Sequence, residues 1–208
     1  KHHLNVNDKT CFLLNAELPK YLADQSNSLS YKLIHISTDC IYSGKKGMYK
    51  ESDPSDAIDS YGKSKAEGEK LKLNSLILRT STIGHEHYTN YGLLNWFLNQ
   101  DKSCVGFQKA IFSGIPTITL SNIIKSIIIN SSNLSGIYNI SANPINKYLL
   151  LKIIAKIYKK NIVIVPDNSF IIDRSLDNRK FCKFHGKKLP DWEFLIKSMY
   201  DDNQKYNI

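Results

Sequence analysis

The feature that most constrains this chain is the stretch 37–69, in which a polar segment connects an apolar run to a run of helix-forming residues. The apolar run at 33–36 predicts a buried strand, and the run at 64–73 predicts a helix that carries Tyr61 and Lys65 on one face, because residues four apart are neighbours on a helix. A strand followed by a helix is a unit of α/β folds, which place their chemistry at the carboxyl ends of strands. Thr38 lies at that position.

These three side chains have complementary chemistry. A phenol loses its proton more easily when a fixed ammonium stabilises the phenolate, and Lys65 is one turn from Tyr61. The Thr38 hydroxyl can hydrogen-bond a carbonyl oxygen at the same time. The set is suited to carbonyl reduction or to the reverse oxidation. The Tyr61–Lys65 pair taken by itself also has a purely structural explanation, a tyrosine packed at the start of a helix with an exposed lysine.

The full string is more specific than the pair. Ser-Thr-Asp follows the strand, an acidic turn follows with Glu51, Asp53 and Pro54, and then comes Tyr-Gly-Lys-Ser-Lys-Ala-Glu-Gly-Glu at 61–69. This pattern resembles the extended short-chain dehydrogenase/reductase family, and within it the dTDP-4-dehydrorhamnose reductase branch. The resemblance implies that Tyr61 donates a proton, that Lys65 holds the nicotinamide ribose and lowers the tyrosine pKa, and that Thr38 completes a catalytic triad.

The resemblance also implies binding residues for NADPH or NADH and for a nucleotide-activated sugar. The cofactor set is Ser37, Tyr61, Lys65, Arg79 and Thr80. The substrate set is Asp39, Thr82 and Arg174. Two positions depart from the family pattern, since Thr82 stands where a tryptophan is expected and Cys40 stands where an aromatic residue is expected.

The expected activity is therefore reduction of a 4-keto-6-deoxy sugar nucleotide for deoxysugar or polysaccharide biosynthesis. Two alternatives remain. An epimerase or dehydratase of the same superfamily would use an acidic residue beside the threonine, and Asp39 stands there. The other alternative is a catalytically incompetent fragment or regulatory subunit. It is suggested by the glycines, because none of the ten forms the GxGxxG turn that brings backbone close to a dinucleotide pyrophosphate. For the same reason we expect weak or no NAD(P)H affinity for these 208 residues.

Helices alternate with apolar strands along the chain, which predicts an α/β fold with a mainly parallel sheet. The resemblance implies a Rossmann-like sheet that lacks its first strands, followed by a small C-terminal α/β substrate-binding part. Residues 1–82 would form the C-terminal portion of the dinucleotide-binding domain. Residues 83–208 would form mainly the substrate-binding part, partly interleaved with the sheet.

Composition and charge limit the classes of ligand and partner that this chain is expected to bind. A net charge of +9 would attract an anion such as a nucleotide diphosphate, although dispersed lysines on solvated faces explain it as well. No basic and aromatic platform for nucleic acid can be placed. No apolar run approaches the ~20 residues that span a bilayer, and no secretion signal is visible. The four cysteines are far apart in the sequence, which argues against a zinc site and against a disulfide scaffold. We expect them to be free thiols in the cytoplasm. A homodimer is compatible with these features.

Three local expectations concern the first seventy residues. Pro19 should kink or break a helix over 8–25. The segment 40–60 should be a long loop that is too polar for the core. Ser60 should cap the helix that follows this loop.

Overall fold

The computed structural model describes residues 7–71, 74–130 and 133–206. Its main sheet contains three parallel strands in the order β1 (Ile34–Thr38), β2 (Leu76–Thr80) and β7 (Gly136–Asn139). Thr38 is in register with Thr80, and Arg79 is in register with Asn139. The carboxyl ends of all three strands therefore meet at one edge, where parallel sheets bind ligands.

Within the described ranges, seven further strands form three smaller sheets. Two pairs are parallel, β3 (Thr82–Ile83) with β6 (Ile115–Pro116) and β4 (Ser103–Phe107) with β9 (Val163–Asp167). The third group places β5 (Ala110–Phe112) between β10 (Ile172–Asp173), which is parallel to it, and β8 (Ile145–Asn146), which is antiparallel. The predicted α/β class with mainly parallel strands is confirmed. The division at residue 82 stays a prediction, and β7 from the second predicted part completes the main sheet.

The helices cover the sheets. In chain order they are α1 (Asp8–Phe12), α2 (Leu18–Ser28), α3 (Ser60–Glu67), α4 (Leu93–Leu98), α5 (Thr117–Asn130), α6 (Lys147–Ile157), α7 (Arg179–His185) and α8 (Trp192–Tyr206). Within the described ranges, no helix is long and apolar enough to cross a membrane. The main core packs Leu76 and Leu78 of β2 against apolar side chains from these helices, including Leu94, Leu150 and Ile196.

Pro19 is the second residue of α2, and Glu17 directly before α2 already has helical dihedral angles, so α1, the connecting stretch and α2 form one helical run. A π-helical stretch at Leu13–Glu17 interrupts the regular α-helix of this run. The stretch contains Asn15, four residues before Pro19, whose carbonyl a proline ring crowds in a helix. The irregular turn expected from Pro19 therefore lies in the turn that precedes it.

The start of α3 is fixed by Asp59. Its Oδ1 accepts a hydrogen bond from Gly62 N at 2.6 Å, which satisfies one of the unpaired donors of the first turn. Ser60 is the first helical residue, so its predicted capping role is wrong. The predicted continuation of this helix to residue 73 is also wrong, since α3 ends at Glu67; residues 72 and 73 lie outside the described ranges.

The segment between β1 and α3 contains a small core of its own. Tyr42 and Tyr49 are fully or almost fully buried, and their rings stack with centroids 4.0 Å apart. Tyr49 also forms a parallel bridge with Leu176 from the far end of the chain. The expectation of a loop too polar for the core is wrong, because Tyr42 and Tyr49 are buried in a cluster with Ile41 of the same segment and Leu176 from the far end of the chain.

Candidate active site

A cleft at the carboxyl edge of the main sheet collects most of the predicted catalytic and cofactor-binding residues. We call it the hydroxyl cleft, and its volume is about 260 Å³. It is lined by Ile36, Ser37, Thr38, Tyr61, Lys65, Thr80, Ser81 and Thr82. The strand ends supply the threonines, and the first turns of α3 supply the phenol and the ammonium. All three members of the predicted triad therefore line one cleft.

Lys65 is held against the sheet edge. Its Nζ donates a hydrogen bond to the Ile36 carbonyl oxygen at 2.7 Å. Burial lowers the pKa of Lys65 from its ordinary value, and the Glu69 carboxylate opposes part of that shift. An ammonium has three donors, so this bond fixes the position of the charge and leaves donors for ribose hydroxyls.

Thr38 marks the end of β1 and the start of a 3₁₀ turn at Asp39–Ile41. Its Oγ1 accepts a hydrogen bond from Cys40 N at 3.1 Å and donates one to Asp39 Oδ1 at 3.2 Å. The backbone contact fixes the oxygen, while the hydroxyl hydrogen can rotate towards another acceptor. The arrangement therefore presents an oriented donor at the cleft.

Arg79 was predicted to bind the cofactor, and the structure places its guanidinium elsewhere. Both Nε and Nη2 donate to the Glu69 carboxylate, the latter at 2.7 Å, and Nη1 donates to Tyr42 Oη at 2.7 Å. The side chains of Arg79 and Glu69 are each 6% exposed. The Ser37 hydroxyl also donates to Glu69. Arg79 thus takes part in a buried structural network behind the strand ends, and not in the lining of the cleft.

A second cleft of about 250 Å³, which we call the cationic cleft, meets the first at Ser81. It contains two of the predicted substrate-binding residues, Asp39 and Arg174, whereas Thr82 lies in the hydroxyl cleft. Arg174 Nη1 contacts Cys40 Sγ at 3.3 Å. The other lining residues are Cys40, Leu93, Ile111, Phe112, Lys147, Phe170 and Ile172.

Comparison with known proteins identifies the family. Residues 6–205 match the family described as RmlD substrate binding domain. The chain belongs to this family. It is 26% identical to dTDP-4-dehydrorhamnose reductase of Aggregatibacter actinomycetemcomitans over 91% of its own length and 73% of that protein.

Two solved structures with related folds belong to dTDP-4-dehydrorhamnose reductases. The one from Bacillus anthracis, in complex with NADP, superposes with a TM-score of 0.78 at 22% identity and covers 90% of this chain and 72% of that one. The one from Clostridium acetobutylicum has a TM-score of 0.79 at 21% identity and covers 97% and 78%. The resemblance seen in the sequence and the Rossmann-like fold are thereby confirmed.

The residues of the hydroxyl cleft fit one end of a nicotinamide cofactor. Tyr61 and Lys65 place a phenol and an ammonium beside the β1 carboxyl end, and groups of this kind can bind the hydroxyls of a ribose. No glycines of this sequence have the GxGxxG spacing that brings backbone close to a dinucleotide pyrophosphate.

Two functional candidates were missed by sequence reasoning, Lys147 and Ser81. Lys147 is the first residue of α6, directly after the capping residue Asn146. A cation is disfavoured at a helix N-terminus by the helix dipole, so its position there was the available signal. Ser81 carries no signal in its residue type. It lines both clefts because it lies between β2 and β3.

The motif His85-Glu86-His87 does not form a metal centre in this structure. His85 Nε2 lies 2.8 Å from Tyr158 Oη, and the Glu86 carboxylate accepts a hydrogen bond from Gly92 N at 2.9 Å. Across the described part of the chain, no group of three or more His, Cys, Asp and Glu residues is arranged to hold a metal ion.

Proposed function

We propose that this chain carries the proton-transfer and substrate-binding machinery of an NAD(P)H-dependent reductase that acts on a 4-keto-6-deoxy sugar nucleotide. The supporting observation is that Thr38, Tyr61 and Lys65 line one cleft at the carboxyl edge of the parallel sheet. Family membership and the named relatives, which are dTDP-4-dehydrorhamnose reductases, support the same substrate class.

A bound nicotinamide would supply the hydride for the keto carbon. Tyr61 Oη would donate the proton to the carbonyl oxygen as the charge on that oxygen develops. Lys65, fixed by the Ile36 carbonyl, would stabilise the phenolate that remains. Thr38 would donate a second hydrogen bond to the same oxygen and orient it. Catalysis by these residues is thus positional and electrostatic.

The experiment is product analysis with dTDP-4-keto-6-deoxyhexose and NADPH, carried out on the product of the complete reading frame. A reductase consumes one equivalent of NADPH for each equivalent of hydroxyl product. An isomerised or dehydrated product without net NADPH consumption would contradict the proposal.

That second outcome would favour the epimerase or dehydratase alternative, which rests on Asp39. Its Oδ1 accepts hydrogen bonds from the Thr38 hydroxyl at 3.2 Å and from the Cys40 thiol at 3.3 Å. A carboxylate in this position could act as an extra acid or base beside Thr38. The reductase proposal needs no such group, and Asp39 then serves only to bind substrate.

A homodimer, a cytoplasmic location and the absence of nucleic acid among the partners stay predictions from the sequence. Cys11, Cys40, Cys104 and Cys182 form no disulfide bond in this structure.

A further inference from the structure

Two consecutive residues of β1 contact two side chains at the C-terminal end of α3. The Ile36 carbonyl oxygen accepts a hydrogen bond from Lys65 Nζ at 2.7 Å, and the Ser37 hydroxyl donates one to Glu69 Oε1 at 2.5 Å. Lys65 lies in the last turn of α3, and Glu69 lies two residues beyond the end of this helix. The strand and the end of the helix are therefore joined at two adjacent points.

The hydroxyl of Ser37 is used inside the protein. Ser37 is 4% exposed and Glu69 is 9% exposed. An ionised carboxylate only accepts hydrogen bonds, so the serine is the donor, and its one hydrogen is directed to Glu69. Ser37 was predicted from the sequence to bind the cofactor. A hydroxyl that donates to Glu69 cannot donate to a ribose at the same time.

The position of α3 depends on contacts with the rest of the fold. The helix has eight residues, and a helix of that length is marginal by itself. Its first turn is fixed by the cap from Asp59 and by the close approach of Gly62 to the turn after β1. The contact between Ser37 and Glu69 is a buried polar contact at the other end. Its loss would leave this end of α3 less firmly held against the strand.

The charge of Lys65 is sensitive to this end of the helix. Glu69 favours its charged form, whereas burial opposes it and lowers the pKa of Lys65. From β1, the ring of His35 also faces this charge. A carboxylate released by Ser37 would be held by Arg79 alone, on the neighbouring strand β2. The ammonium would then be less fixed, and it would stabilise a phenolate less as its distance from the phenol increased.

We propose that Ser37 is a positioning residue, which acts through Glu69 to hold Lys65 at the distance from Tyr61 that proton transfer requires, and that it is not a ligand of the cofactor. This inference rests on the proposed function for the reaction that the pair serves. The ionisation of Tyr61 can be measured without turnover, so the inference can also be tested independently of activity.

The first test follows the ionisation of Tyr61 in the 208-residue chain. The probe is ¹³C NMR of labelled tyrosine ζ-carbons during a pH titration, and the signal of Tyr61 is the one that disappears in Tyr61→Phe. Ser37→Ala should raise the apparent pKa of Tyr61 by about half a unit or more, because a less firmly held ammonium stabilises the phenolate less.

The matched control is Ser141→Ala. Ser141 is 1% exposed, its hydroxyl donates one hydrogen bond to the Leu176 carbonyl oxygen at 2.8 Å, and it is not among the residues that line the two described clefts. Its variant should lose a similar amount of stability and leave the titration of Tyr61 unchanged. An unchanged titration in Ser37→Ala, or the same shift in both variants, would overturn the inference.

The second test uses the product of the complete reading frame. Ser37→Ala should lower kcat by about tenfold, keep the KM for NADPH, and move the alkaline limb of the pH profile to higher pH, since reduction needs the protonated phenol. A raised KM for NADPH with an unchanged kcat would identify Ser37 as a cofactor ligand and contradict the inference. If the unmodified protein reduces no keto sugar, the proposed function fails, and the titration of Tyr61 still decides the role of Ser37.

Discussion

Glu69 and Arg79 form the most deeply buried ion pair among the described side chains, and they illustrate how single residues support this site. The carboxylate accepts three hydrogen bonds from Arg79 and one from Ser37, directly behind the cleft. Arg79 also donates to the Glu51 carbonyl at 3.1 Å, which connects the strand end to the loop that precedes α3. A charged group so placed stabilises the fold only while its partner is present.

Removing one member of this pair is predicted to be costly. Glu69→Gln leaves the buried guanidinium without its counter-charge, and we expect a loss of about 3–5 kcal/mol in the free energy of unfolding. Glu67→Gln is the matched control, because Glu67 lies two residues away and pairs with Lys20 and Lys70 in a partly exposed position. It should change stability little. Denaturant titration of both variants checks this, and equal losses would contradict it.

His35 is predicted to make the stability depend on pH. Burial, reinforced by the nearby Lys65 charge, lowers the pKa of His35 to about 4. The unfolded chain takes up this proton near the ordinary pKa of 6.5, so between pH 6.5 and 4 the unfolded state binds more protons and stability falls as pH falls. The loss attributable to this residue reaches about 3 kcal/mol at the acid end.

The measurement is the free energy of unfolding at several pH values for the unmodified chain and for His35→Asn. The variant should show a shallower slope between pH 4 and 6.5. His87→Asn, at an exposed position, should keep the original slope. Parallel curves for all three proteins would show that His35 is not the responsible group.

At the scale of the element, the position of α3 depends on one glycine. A Cβ on Gly62 would lie 2.2 Å from the Cys40 carbonyl oxygen and 2.8 Å from the Ala57 Cβ. The first obstacle is backbone and cannot move cheaply, so no larger residue fits between α3 and the 3₁₀ turn that follows Thr38. The close approach brings Tyr61 and Lys65 of the helix to the strand end.

Gly62→Ala is therefore predicted to lower the thermal unfolding midpoint, although alanine is the better helix former. The steric overlap pushes α3 away from the turn, and we expect activity to fall together with stability. Lys63→Ala, at the next, exposed position of the same helix, should leave the midpoint nearly unchanged. A Gly62→Ala variant as stable as the original chain would contradict the packing described for α3.

At the scale of the whole molecule, features that depend on local sequence patterns could be predicted, whereas features that depend on contacts between distant parts of the chain could not. The alternation of helices and strands and the string at 37–69 are local, and they were sufficient to predict the α/β class, the family and the placement of Thr38, Tyr61 and Lys65 in one cleft. The network of Arg79 with Glu69 and Tyr42 joins three separate elements, so no spacing in the sequence could reveal it. Lys147 reaches the cleft only because β8 and β10 flank β5, a pairing that periodicity does not specify.

The arrangement of the strands places the two clefts side by side. The parallel strands end at one edge and form the hydroxyl cleft, and the smaller strands with α6 form the cationic cleft beside it, with Ser81 common to both. A ligand in the hydroxyl cleft would have its reacting part near Tyr61. We propose that Tyr61 transfers the proton there.

The most direct test of proton transfer by Tyr61 compares the variants Tyr61→Phe and Tyr88→Phe of the product of the complete reading frame. The quantity measured is the rate of NADPH oxidation with a saturating 4-keto-6-deoxy sugar nucleotide. Loss of the general acid should lower kcat by about 10²- to 10⁴-fold while the affinity for dTDP is retained. Tyr88 is fully exposed, and its variant should have the original kcat. An unchanged kcat in Tyr61→Phe would remove the phenol from the mechanism.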